Sequence, residues 1–327
     1  MNTSDGERGV RPAASLRDAR VLVVGAGIMG AGIAQVAAQA GHRVALFDPR
    51  ADAARDKLAA TFDTLVAKGR LQAPAAADAL ARIEAVDELE QAADCGLVIE
   101  AIVERLDVKR ELLARLEALV APDCVLASNT SSLSITALAR DMKHPARLVG
   151  MHFFNPLPLM KLVEVIRGLR TDPQVAQQVF DLVGAWGKTA VLARSTPGFI
   201  VNRIARPFYA ETLVLLQEQA AAPEVLDTCL RAAGFRMGPC ELMDPIGHDT
   251  NFAVTQAVFE ANVSDQCFQL SMVQRELGDG ELLGAVEQAA LLDLLDRPYR
   301  GERFRASRRL REQAWPRARA AVGTEQA

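Results

Sequence analysis

The sequence predicts an α/β fold, a doubly wound sheet followed by an all-helical C-terminal domain. Three observations carry this. Short, uninterrupted apolar runs alternate with helical stretches through the first half of the chain. A glycine-rich turn joins the first run to the first helix, and the strand signal disappears after residue 197. Apolar runs that do not alternate with polar residues are the mark of strands buried on both faces, which is how a parallel sheet between helices is built.

The elements follow in order. "RVLVVG" reads as the first strand and "IMGAGIAQVAAQAG" as the helix after it. "HRVALFD" is a second strand, followed by a long alanine-rich stretch read as helical throughout. "CGLVIEAI", "CVLAS" and "RLVGMHFF" are further buried strands separated by helices, and "KTAVLA" is the last. "STPGF" then breaks the pattern, and the chain continues as helices interrupted at "GFRMGP". The expected organisation is a disordered lead-in over residues 1–18, a nucleotide-binding domain over 19–197 and a helical domain over 198–290. Residues 291–327 read as an atypical, disordered basic tail, arginine-rich from Arg297 on and without the spacing of a buried helix.

Bulk composition narrows the function classes. Half of the 327 residues are hydrophobic, about a quarter are charged, and the net charge is -4. That is an ordinary globular balance, and its mildly acidic sign gives no reason to expect nucleic acid as a partner. No apolar run approaches the roughly 20 residues of a membrane-spanning helix, so no membrane partner is expected. Five scattered cysteines without a CxxC pair suggest reduced thiols in a cytoplasmic protein and no metal site.

Gly25, Gly27 and Gly30 stand in GxGxxG spacing between a strand and a helix, with Asp48 at the end of the next strand. In a Rossmann-type domain these glycines serve a tight turn, close approach of a pyrophosphate and helix–strand packing, while the carboxylate accepts ribose hydroxyls. The plainer reading is a glycine-rich packing turn. Asp48 would repel a 2′-phosphate, which favours NAD as cofactor, although Arg50 two residues on could instead meet one.

The second informative stretch is "MHFFNPLPLMKLVEV", residues 151–165. His152 and Glu164 each interrupt an apolar strand, on either side of the turn residues "NPLP" and equidistant from Pro158. If the chain doubles back there, a carboxylate comes beside an imidazole, the arrangement a general base for an alcohol requires. Taken alone, a histidine at a strand end is more often structural. The nicotinamide motif upstream changes that weighing, because removal of hydride from an alcohol carbon needs loss of the hydroxyl proton.

Five motifs in series, "VVGAGIMGAGIA", "VIEAIVERLDVK", "SNTSSLSI", "GMHFFNPLPLMKLVEVI" and "STPGFIVNR", resemble the L-3-hydroxyacyl-CoA dehydrogenases in order and spacing. The resemblance runs from about Ala19 to Gly284 and is nearest to the bacterial 3-hydroxybutyryl-CoA and 3-hydroxyadipyl-CoA enzymes. It implies NAD-dependent oxidation of an (S)-3-hydroxyacyl-CoA to the 3-ketoacyl-CoA. His152 would be the base, Glu164 its orienting partner, and Ser131 and Asn202 would position the substrate oxygen. Gly25, Gly27, Ile28, Met29, Gly30, Asp48, Glu104, Lys109, Ser131 and Asn155 would line the cofactor. Lys68, with Arg70 and Lys57 nearby, would meet a CoA phosphate. The helical domain would form a homodimer. Blander readings stand beside these: Ser131 as a helix cap, Asn202 as a satisfied helix-start residue, Glu104 and Lys109 as a solvated helix pair, and Lys68 as plain surface. Two other functions fit the same fold, a dehydrogenase of a free hydroxy acid and a non-catalytic NAD-binding descendant.

Overall fold

The computed structural model describes residues 16–49 and 51–263, with isolated positions 265, 268, 271 and 274 beyond them. It divides into two compact units, the first ending at Phe199 and the second beginning at Ile200. The division falls two residues beyond the boundary expected at 197/198. Of the expected lead-in, Leu16–Asp18 form a short 3-10 turn with Leu16 buried. Residues 1–15, Arg50 and the basic tail lie outside the described residues.

The first unit is built on eight strands. In chain order they are β1 (Val21–Val24), β2 (Val44–Phe47), β3 (Ile83–Val86), β4 (Leu97–Glu100), β5 (Val125–Ser128), β6 (Leu148–Phe153), β7 (Leu162–Arg167) and β8 (Thr189–Arg194). The helices among them are α1 (Ile28–Gln39), α2 (Ala51–Ala67), α3 (Ala73–Ala81), α4 (Leu106–Leu119), α5 (Ile135–Leu138) and α6 (Pro173–Ala185). All strands lie in one sheet of order β3-β2-β1-β4-β5-β6-β7-β8. Every neighbouring pair is parallel except β6 and β7, which are antiparallel. The expected doubly wound sheet is therefore present, with one hairpin inside it.

Strand alternation sorts side chains into two cores. Val21, Val23, Leu97, Ile99, Val125 and Met151 join one apolar layer, while Leu22, Val24, Val98, Leu126 and Leu148 join the other. The first layer includes Ile33 of α1 and Val179 of α6, and the second includes Leu113 and Leu116 of α4. Both sheet faces are thus covered, which is why the strands carry continuous apolar runs.

One element was misread from sequence. Residues 83–86, "IEAV", are a strand and not part of an alanine-rich helical stretch. β3 is an edge strand with Ile83 buried in one apolar layer, Val86 in the other and Glu84 in solvent. Four residues with a single polar one, between helix-forming stretches, give too little period-2 signal to stand out.

The second unit comprises α7 (Val201–Gln217), α8 (Pro223–Ala232), α9 (Pro239–Ile246) and α10 (His248–Ala261). Among its described residues it is all-helical, with Tyr209, Leu213, Leu216, Leu226 and Met243 at its core. Proline in the first turn opens both α8 and α9, where its missing N–H costs nothing.

Candidate active site

Parallel strands end at a common edge, and in an open sheet of this kind ligands bind outside those carboxyl ends, where the strand order reverses. Here the reversal lies between β1 and β4. Gly25 follows β1 with φ of +99°, and a Cβ added there would meet the Ala101 carbonyl oxygen at 2.7 Å. A Cβ at Gly30 would sit 1.8 Å from the Gly25 carbonyl oxygen, so the helix can lie this close to the turn only without a side chain. At Gly27 the same test meets nothing within 4 Å. The space beside Gly27 is open, and as N-cap of α1 it brings no capping side chain. Ile28 is 77% exposed in the first helical turn, and Met29 is partly buried against the core. An uncapped helix start beside open space suits a pyrophosphate, so the residues present fit a dinucleotide.

Asp48 lies one residue past β2, and its Oδ2 accepts the Ala26 N–H at 2.9 Å. The carboxylate therefore helps hold the glycine turn.

The turn around Pro158 does what its residues suggest. β6 and β7 pair so that His152 lies directly opposite Glu164. Their neighbours Met151, Phe153, Val163 and Val165 enter one core, so the imidazole and the carboxylate alternate together to the other face. Nδ1 of His152 is 2.7 Å from Oε2 of Glu164. An ionised carboxylate can only accept, so Nδ1 donates to it, and in the neutral imidazole Nε2 keeps its lone pair. Glu164 is fully buried and His152 nearly so. The Phe154 and Phe199 rings lie 4.4 and 5.8 Å from the imidazole centroid. Phe199 has φ of +49°, an uncommon conformation for an aromatic residue. "STPGF" carried that residue in plain view, but its ring contact was not anticipated.

Glu104 and Lys109 are not a solvated helix pair. Lys109 of α4 is only 1% exposed and pairs with the fully buried Glu100 at the end of β4, at 2.5 Å. It also lies 3.3 Å from Oε2 of Glu104 and 3.3 Å from the Ile102 carbonyl oxygen. Glu100 is further held by the Ser128 hydroxyl and the Ile102 N–H. Oε1 of Glu104 accepts from the Thr130 hydroxyl at 2.5 Å and from the N–H groups of Ser131 and Ser132 at 2.9 and 3.1 Å. Burial alone would raise the Glu104 carboxyl; the Lys109 ammonium, the Thr130 hydroxyl and the Ser131 N–H outweigh it and hold it below the usual carboxylate range. Sequence reasoning passed over Glu100, Ser128 and Thr130. The available signal was a carboxylate closing the otherwise apolar strand "LVIE".

Ser131 does not cap the following helix. That role belongs to Ser134, whose hydroxyl accepts the Ala137 N–H. The Ser131 hydroxyl lies 3.4 Å from Glu104, so the carboxylate bonded to its backbone also sets its surroundings. Asn129 was likewise missed: its Oδ1 accepts the Phe153 N–H and ties the loop after β5 to the residue beside His152. Asn155 is exposed in the turn between β6 and β7, and Lys68 is exposed just past α2. Asn202 lies in the first turn of α7, in the second unit. The four described cysteines are free thiols, and no group of metal-ligating side chains occurs among the described residues. No described helix is long and apolar enough to cross a membrane.

Comparison with known proteins bears on these positions. Residues 20–196 match the family model of the 3-hydroxyacyl-CoA dehydrogenase NAD-binding domain, and residues 198–293 match that of the C-terminal domain. The chain is 50% identical over 268 residues to the 3-hydroxyadipyl-CoA dehydrogenase of Escherichia coli, covering 81% of this chain and 56% of that protein. It spans, therefore, little more than half of that relative's length. Against the 3-hydroxybutyryl-CoA dehydrogenase of Bradyrhizobium diazoefficiens it is 42% identical, with 74% of this chain and 84% of the relative covered. The crystal structure of (S)-3-hydroxybutyryl-CoA dehydrogenase from Ralstonia eutropha superposes with a TM-score of 0.77 at 37% identity, covering 81% of this chain and 95% of that one.

Proposed function

Because this chain belongs to the 3-hydroxyacyl-CoA dehydrogenase family, we propose that it interconverts an (S)-3-hydroxyacyl-CoA and the 3-ketoacyl-CoA with NAD as cofactor, in β-oxidation-type metabolism. The observation that carries this reading is the buried His152–Glu164 pair in a sheet whose reversal point holds a glycine turn fit for a dinucleotide. The bound cofactor supplies the acceptor for the hydride leaving C3. The chain's own residues handle the proton. Nε2 of His152 takes it from the 3-hydroxyl, and Glu164 holds Nδ1–H and balances the charge the imidazole gains. General base action of this kind contributes roughly 10²- to 10⁴-fold. Ser131 and Asn202 hold the oxygen, with Glu104 and Lys109 keeping the Ser131 loop in place beside the cofactor. Ile28, Met29 and Asn155 are read as cofactor-lining residues. The active protein is read as a cytoplasmic homodimer formed through the helical unit, whose surface exposes Ile204, Val225 and Phe235.

The direct test is NADH oxidation with acetoacetyl-CoA, run beside free acetoacetate and beside longer and dicarboxylic 3-ketoacyl-CoAs. Turnover of thioesters alone is expected, and the series reads out the acyl preference. Turnover of free acetoacetate at a comparable rate would overturn the reading.

Two substitutions probe the ends of the site. Asp48→Ser is expected to narrow the preference for NADH over NADPH, because a carboxylate no longer repels the 2′-phosphate. Since Asp48 also accepts the Ala26 N–H, the affinity for NADH itself should fall. Measuring kcat/KM for both cofactors decides this, and a parent enzyme that prefers NADPH would contradict the role given to Asp48. Lys68→Ala is expected to raise KM for acetoacetyl-CoA while leaving that for a truncated pantetheine thioester unchanged, since the shorter substrate lacks the phosphates a lysine would meet. Equal effects on both would return Lys68 to the solvated surface.

A further inference from the structure

At the amino ends of β1, β2 and β3, away from the glycine turn, lies a concavity of ≈ 580 Å³. Four arginines line it: Arg20, Arg43, Arg55 and Arg82. The fold places three of them in a row. Arg20, Arg43 and Arg82 each immediately precede a strand, and the register pairs Val21 with Val44 and Val44 with Ile83. The Val21 N–H donates to the Arg43 carbonyl and the Val44 N–H to that of Arg82, both at 2.9 Å. Adjacent strands lie about 4.8 Å apart, and equivalent positions in parallel strands point to the same side. Three long cationic side chains therefore start side by side, and Arg55 of α2 joins them.

Their charge is poorly balanced. Glu84 and Asp94 both pair with one guanidinium, that of Arg20. Among the described residues, the side chains of Arg43, Arg55 and Arg82 make no hydrogen bond or ion pair. Three unpaired guanidiniums around one hollow repel each other, and a multivalent anion would remove that repulsion. Guanidinium forks bind phosphoryl oxygens in pairs. The hollow has the size of a small-molecule site, and Val44, Ile83, Ala81 and Ala85 give it apolar walls between the charges.

We propose that this hollow is a second anion site, built for a small molecule carrying a diphosphate group and separate from the candidate active site. β1 alone puts roughly 13 Å of strand between the Arg20 end and the glycine turn, so a ligand here would touch none of the reacting atoms. Its effect would be to stabilise the first unit and, through that, to tune the protein to the supply of phosphorylated metabolites.

The test is calorimetric titration of the full chain with inorganic pyrophosphate, in low salt and with NADH present to fill the glycine turn. The expected result is saturable binding that weakens as salt is raised. Arg43→Ser/Arg82→Ser should weaken it at least about tenfold, and Glu84→Gln should tighten it by removing a carboxylate that lines the hollow. Arg43 is exposed and Arg82 half-buried, so both variants should keep NADH affinity, which serves as the check on folding. Pyrophosphate should also raise the melting temperature of the parent and not of the double variant. Repeating the titration with ADP and with CoA shows whether the walls favour an attached nucleoside. Absence of saturable binding, or binding unchanged in the double variant, overturns the proposal.

Discussion

His152→Ala is expected to lower kcat at least about 100-fold while NADH affinity changes little. The reason is the single free nitrogen: Nδ1 is committed to Glu164, so the reaction has only Nε2 to receive the hydroxyl proton. Glu164→Gln should cause a loss of similar size by a different route. An amide can still accept from Nδ1–H, but it cannot balance an imidazolium in a site where Glu164 is completely buried. Stopped-flow or steady-state NADH oxidation with acetoacetyl-CoA measures both, with melting curves alongside, since removing the imidazole leaves a buried carboxylate short of a donor. A His152→Ala protein with near-normal kcat and an intact melt would end the proposed mechanism.

The largest expected effect on stability comes from Lys109→Met. It removes the cation from a carboxylate that has no exposure to water. Breaking a buried pair from one side costs about 3–5 kcal/mol, because the remaining charge keeps only the neutral donors Ser128 and Ile102, with no counter-ion and no solvent. Adding Glu100→Gln to Lys109→Met should recover much of that loss. Chemical denaturation of the parent, single and double variants gives the comparison, and a single variant as stable as the parent would show that Glu100 finds another partner. The same network has a pH signature. Glu104 holds its proton less readily folded than unfolded, so its contribution is present above the ordinary carboxylate range and is lost as pH falls through the depressed folded value.

Which features were legible in the sequence follows from how local they are. The dyad needed only two strands, a turn and the period-2 rule, all within one short stretch, and Pro158 marked the fold-back. The glycine turn was legible because its three glycines fall within six residues between a strand and a helix, Gly25 and Gly30 answering to close contacts and Gly27 to open space. Glu104 and Lys109 were assigned to the cofactor from resemblance alone, with a solvated pair as the blander reading. Five residues apart on one helix start, they look like surface charges, and only the packing of α4 against the end of β4 turns Lys109 inward. A cap stayed open as the blander reading of Ser131 because three serines follow one another closely, and the capping serine is Ser134. β3 was hidden because four residues with a buried one at each end and no alternation carry no strand period. The arginine row shares that difficulty: positions 20, 43 and 82 become neighbours only through sheet register.

The hairpin that carries the dyad has a consequence for how such chains can be rearranged. Base and carboxylate sit on consecutive strands, so both are contained in the segment from Leu148 to Arg167. A crossover between two parental genes that falls outside this segment transfers the pair intact, and only a break inside it can bring a histidine from one parent beside a carboxylate from another. Fusion to a further domain at either end, or a circular permutation opened in a distant loop, likewise leaves the pair undivided. The proton-handling unit is thus inherited as one piece, while the cofactor turn, the Ser131 loop and the helical unit can be exchanged around it.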